Sequence, residues 1–166
     1  YKCSLLITLL SLLIFICSGP VCADIIDDMG TLTGWTTDND SESTVSASVE
    51  NGHSGNAIKL NYSFNDGDWV QIYKSYDSSN LSGGDSLRFY YKGSGNANNI
   101  EIKIFDLDGD ICSTALSGVS NTSSWTLATV LYTSFSIWND SDGNPLGDGV
   151  VDWENITKIV IGITKS

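Results

Sequence analysis

From residue 57 to residue 163, apolar side chains recur at every second position in short runs, with turn-forming residues between the runs. Nothing in the chain after residue 23 sustains an apolar stripe at 3.6-residue spacing. A strand places successive side chains on opposite faces, so this pattern predicts antiparallel sheets with one buried and one solvated face. The runs are 57–64 (Ile58, Leu60, Tyr62 and Phe64 inward), 69–74 (Val70 and Ile72 inward), 86–92, 100–105, 125–132 and 156–163. A weaker edge strand is expected near 44–49. Turn chemistry lies between them in Asn65-Asp66-Gly67-Asp68, Ser82-Gly83-Gly84-Asp85, Gly93-Ser94-Gly95-Asn96 and the segment 106–110. Short strands at such spacing build an all-β sandwich or barrel. The segment 133–155, with Trp138 and Trp153, is the longest irregular stretch, a length that usually serves function or is disordered.

The first 23 residues follow a different rule. Lys2 precedes an apolar run from Leu5 to Cys17, and Val21-Cys22-Ala23 places small residues before a cut. This reads as a secretory signal peptide over 1–23, with one domain over 24–166. No basic stop-transfer cluster follows, so no membrane association is expected after cleavage. Removal takes Lys2 and three of the four cysteines, leaving seven basic residues against 20 acidic ones and Cys112 alone. A disulfide scaffold is thereby excluded, and Cys112 reads as a small buried hydrophobe.

The charge balance argues against nucleic acid, because seven cations do not offset 20 carboxylates beside phosphates. His53 is the only histidine, which removes Ser-His-Asp, Cys-His and multi-histidine zinc chemistry. Glycosidase chemistry needs only two carboxylates, with Glu101 and Asp106 the first pair to test, but no pair is singled out and no enzyme is expected. EF-hand registers fail throughout: from Asp106 the sixth position is Ile111, and from Asp140 it is Pro145.

The candidate site is a polar strand face. Gln71 and Tyr73, Arg88 and Tyr90, and Glu101 and Lys103 all alternate away from the predicted core, and read as three successive strands they share one surface. Trp69 and Trp138, in or beside polar turns, join it as stacking residues. Aromatic rings take the C–H face of a pyranose while directional polar groups bond its hydroxyls.

The ordered set of short motifs adds a resemblance. Ile26-Asp27-Asp28-Met29 is followed by Gly34-Trp35, Gly52-His53-Ser54-Gly55-Asn56-Ala57, and Trp69-Val70-Gln71-Ile72. Leu87-Arg88-Phe89-Tyr90-Tyr91-Lys92-Gly93, Ile102-Lys103-Ile104-Phe105-Asp106 and Asp152-Trp153-Glu154-Asn155 complete the series. The chain resembles the galactose-binding-like β-sandwiches, and among them the family 11 carbohydrate-binding modules. That resemblance implies an antiparallel jelly-roll β-sandwich and a non-catalytic module that binds a β-glucan-type polysaccharide. It also implies structural calcium, for which a non-EF site built from an N-terminal acid such as Asp28 plus loop oxygens is the candidate, and attachment to a glycoside hydrolase domain. Such domains end in a further strand, so the last strand is expected to be missing here. The module is expected to be secreted or at the cell surface. A structural or adhesion sandwich without sugar affinity is the alternative.

Overall fold

The computed structural model describes residues 25–166, and the expected signal peptide over 1–23 lies outside them. Ten strands follow in order: β1 (Trp35–Asn39), β2 (Thr44–Asn51), β3 (Asn56–Ser63), β4 (Trp69–Ser79), β5 (Ser86–Tyr91), β6 (Asn99–Asp106), β7 (Ile111–Leu116), β8 (Thr126–Leu131), β9 (Ser136–Ile137) and β10 (Ile156–Thr164). All pairings are antiparallel. One sheet has six strands in the order β1-β4-β10-β6-β7-β9, and β2-β3 and β5-β8 form separate pairs. The expected β-sandwich class is the class observed.

The core lies between these sheets because one face of each is apolar. From the large sheet come Val70, Ile100, Ile102, Ile104, Cys112, Ile159 and Ile163, and from the other side Leu87, Ala128 and Val130. Val45, Tyr62 and Phe64 bring the β2-β3 pair onto the same cluster. Cys112 is 1% exposed and free, as expected of a packing residue. Burial, with the nearby Asp106 charge, pushes its thiol up to about 12, far from a reactive thiolate.

Three strands escape a reading of the sequence, among them the two-residue β9 inside the 133–155 segment. β1 (Trp-Thr-Thr-Asp-Asn) is mostly polar and finds its pairing only along β4, while β7 shows a weak alternation and lies between β6 and β9. The 133–155 segment is anchored too. Tyr132 and Trp153 stack at 3.9 Å and 6°, Phe135 meets Trp153 edge-on, and the Leu81 amide donates to the Trp153 carbonyl.

Buried or screened carboxylates hold the turns. Asp40 accepts from the Glu42 and Ser43 amides with one oxygen and from the Asp68 and Trp69 amides with the other, tying the β1–β2 turn to the start of β4. A Cβ at Gly67 would fall 2.1 Å from Asp40 Oδ1, so only glycine lets this carboxylate approach. The Asp68 amide and the Ser43 side chain hold the Asp40 carboxyl far below its ordinary value of 3.8. A depressed acid contributes stability that is full above its ordinary value and lost as the pH falls through the folded-state value. Asp40→Asn is therefore expected to lower the melting temperature at neutral pH and to narrow its gap to the parent below pH 3.8, as followed by circular dichroism across a pH series.

Candidate carbohydrate-binding face

The register of the six-stranded sheet fixes what stands on its outer face. One row across the strands reads Asp38, Gln71, Gly162, Glu101 and Ala115. The next reads Thr36, Tyr73, Val160, Lys103 and Ser113, and the third Ser75, Lys158, Phe105 and Ile111. Trp69, opposite Thr164, stands at the far end of the same face. Trp138 follows β9 and returns to this face, its Nε1 donating to Ser113 Oγ at 2.6 Å.

Size alternates along the first two rows. Gly162 and Val160 form a low centre on β10, flanked by Gln71 and Tyr73 on one side and by Glu101 and Lys103 on the other. Val160 is 3% exposed although it points outward, because the longer side chains beside it cover it. The walls are held in place by polar contacts. Gln71 Nε2 donates to Asp38 Oδ2 at 3.0 Å, and Lys103 lies 3.2 Å from Glu101, both side chains 19% exposed. Lys103 also stands over the Trp138 ring, its Nζ 4.6 Å from the centroid. An ordered set of rings and charges around a shallow apolar floor suits a hydroxyl-rich ligand laid along the sheet.

Six of the eight expected ligand residues meet here: Trp69, Gln71, Tyr73, Glu101, Lys103 and Trp138. Arg88 and Tyr90 do not. They stand on β5, which pairs with β8 in a different sheet, opposite Thr129 and Leu127. The three-strand surface expected from the sequence is therefore corrected: the chain changes layer between β4 and β5 and again between β5 and β6, as consecutive strands of a sandwich do. Tyr90 has another contact instead. Its ring stacks on His53 at 3.7 Å and 5°, joining the β2–β3 turn to β5, while Trp125 meets His53 edge-on.

Two residues of the outer face, Phe105 and Lys158, lie outside the expected site. Phe105 alternates with the inward isoleucines of β6, a signal that was open to use. Lys158 alternates with inward Ile159, Ile161 and Ile163 in the same way, and the bulge between Ile156 and Lys158 serves instead to turn Ile156 into the core.

The carboxylate pair considered for hydrolysis is dispersed. Glu101 points outward from β6, whereas Asp106, five residues on, is buried at the strand end. Five strand residues span about 17 Å, beyond the separation at which two carboxylates flank a glycosidic bond. Asp106 accepts from the amides of Gly109, Asp110 and Asp152, and fully buried Asp110 from those of Gly147, Gly149 and Val150. Together they fasten the 147–152 loop to the β6–β7 turn. Open depressions of about 500 Å³ by Lys92 and Asn56 and about 510 Å³ by Asp108 and Val150 lie away from the outer sheet face.

The family model for carbohydrate-binding domains of family 11 matches residues 20–164. The chain belongs to this family. It is a carbohydrate-binding module, and the family's domains are non-catalytic. Among solved structures, it is similar to a family 11 module from Clostridium thermocellum in complex with a β-1,3-1,4-mixed-linked tetrasaccharide. The identity is 20% and the TM-score 0.67, over 84% of this chain and 85% of that one. It is also similar to the family 11 module of the cellulosomal cellulase Lic26A-Cel5E of Clostridium thermocellum, at 18% identity and a TM-score of 0.60, over 86% of this chain and 94% of that one. At these identities the likeness establishes the sandwich fold. A search of curated proteins finds no significant match.

In this family 11 domain the two aromatic surfaces separate by mutation. Tyr73→Ala and Trp138→Ala are each expected to weaken polysaccharide binding about tenfold, or ~1.4 kcal/mol, while Arg88→Ala leaves it unchanged. Affinity gel electrophoresis of the three variants checks this assignment.

Proposed function

We propose that the domain is a secreted module that holds a β-glucan chain along the outer face of the six-stranded sheet and targets an attached enzyme or surface protein to it. The observation that carries this reading is the row structure of that face. Tyr73 and Trp138 stand on opposite sides of the low strip at Gly162 and Val160, with Gln71, Glu101 and Lys103 placed along its walls. A polysaccharide lies on such a surface without entering an enclosed cavity, stacking its ring faces and exchanging hydroxyl hydrogen bonds with fixed groups. The ligand of the similar module, a β-1,3-1,4-mixed-linked tetrasaccharide, supports the choice of glucan. Secretion is supported by the composition of residues 1–23, and the attached glycoside hydrolase by the family resemblance. Affinity gel electrophoresis against mixed-linkage β-glucan, xylan and mannan tests the reading. Retardation by the β-glucan is expected, and unretarded migration in all three gels would overturn it.

The calcium implied by the resemblance takes a different form in our reading. Asp28 accepts from the Gly30 amide, and the carboxylates that converge are Asp106, Asp108 and Asp110, with oxygens within 4.8 Å of one another. Amide N–H groups, which repel a cation, already occupy both oxygens of Asp106 and of Asp110, so this trio does not fit a calcium cage. We propose that the carboxylate–amide bonds alone fasten this loop. The melting temperature is then expected to be the same in excess calcium and in excess chelator, and a fall of several degrees on chelation would sink the idea.

A further inference from the structure

Each of three rings on the outer face has an ammonium group over it. Lys158 Nζ stands 4.0 Å from the Phe105 centroid and 5.7 Å from that of Tyr73, and Lys103 Nζ stands 4.6 Å from that of Trp138. The two lysines differ in their ionic partners. Lys103 is paired with Glu101, but Lys158 has no carboxylate within ion-pair distance among the described residues. Arg88, Lys92 and Lys165 also lack one among the described residues, but Lys158 is the one of these four that stands in the paired rows of the outer face.

Lys158 is half-buried on the central strand, between β4 and β6. Partial burial of an ammonium costs solvation, and contact with ring faces offsets part of that cost. An ammonium carries three donors and no acceptor, so what it lacks here is an anion or several lone pairs. Register places Lys103 diagonally across from it, since Lys158 opposes Phe105 and Val160 opposes Lys103.

We propose that this face selects a carboxylate-bearing sugar within a glucan chain, and that Lys158 is the residue that reads the carboxylate. The inference rests on the outer face being the glycan site. Net charge sets the density of acid it tolerates: a strongly acidic domain repels a polyanion at long range, so the fitting ligand is a mostly neutral chain with sparse carboxylates. Charge-assisted hydrogen bonding then acts at contact distance.

Isothermal titration of the full chain with mixed-linkage β-glucan and with the same glucan sparsely oxidised at C6 decides the matter. The oxidised polymer is expected to bind about tenfold more tightly. Lys158→Met is expected to erase that preference, so that the two polymers bind it equally. Lys158→Arg, which keeps the charge, is expected to retain the preference. Equal affinity of the parent for both polymers would overturn the inference whatever the variants do, as would a preference that survives Lys158→Met. Binding to neither polymer would instead strike at the glycan site itself.

Discussion

The register of β10 against its two neighbours is the constraint on which the rest of the structure depends. Ile159, Ile161 and Ile163 face Lys74, Ile72 and Val70 on one side and Ile104, Ile102 and Ile100 on the other, and this places the isoleucines of the central strands in the core. The same register puts Lys158, Val160 and Gly162 on the opposite face. Core and ligand face are two sides of one strand. Because side chains alternate with a period of two, a slip by one residue would bury a lysine and expose three isoleucines. The burial that stabilises the sandwich therefore also fixes the geometry of the binding surface.

Turns and loops follow a second rule, that their carboxylates are satisfied by backbone amides. Asp40, Asp106 and Asp110 each collect several N–H groups from segments distant in sequence. Cation partners are scarce in this chain, and amides meet the same need by direct hydrogen bonding without a second ion. Close approach of backbone to carboxylate then requires glycine. A Cβ at Gly147 would lie 2.7 Å from Asp110 Oδ2, much as one at Gly67 would strike Asp40. The acidity that argues against phosphate-bearing ligands is thus partly a structural resource.

Legibility in the sequence differed from strand to strand for physical reasons. β3, β4, β5, β6, β8 and β10 bury every second side chain against a core, so their alternation is written locally. β1 and β7 are formed by their neighbours' unpaired backbone groups, and little in Thr36-Thr37-Asp38 or Ser113-Thr114-Ala115 signals it. For the site, the outward alternation of Gln71 and Tyr73 and of Glu101 and Lys103 was legible and led to residues that do share a face. Arg88 and Tyr90 show the same alternation, yet they face away from that surface because β5 belongs to the other layer. Period-two patterning says that a side chain points outward, but not from which sheet.

By itself, the sequence determined the class: an acidic, antiparallel β-sandwich with a single buried thiol after residue 23, lacking the histidines of common hydrolases and carrying rings suited to sugars. These follow from composition and from alternation, both local properties. Tertiary structure alone decided which outward residues meet. It set Trp138 against Ser113 at the end of the row that holds Tyr73, paired Lys158 with Phe105 across two strands, and sent Tyr90 to stack on His53. The reason is that strand order and register arise from pairing between distant segments, and no single segment encodes its neighbour.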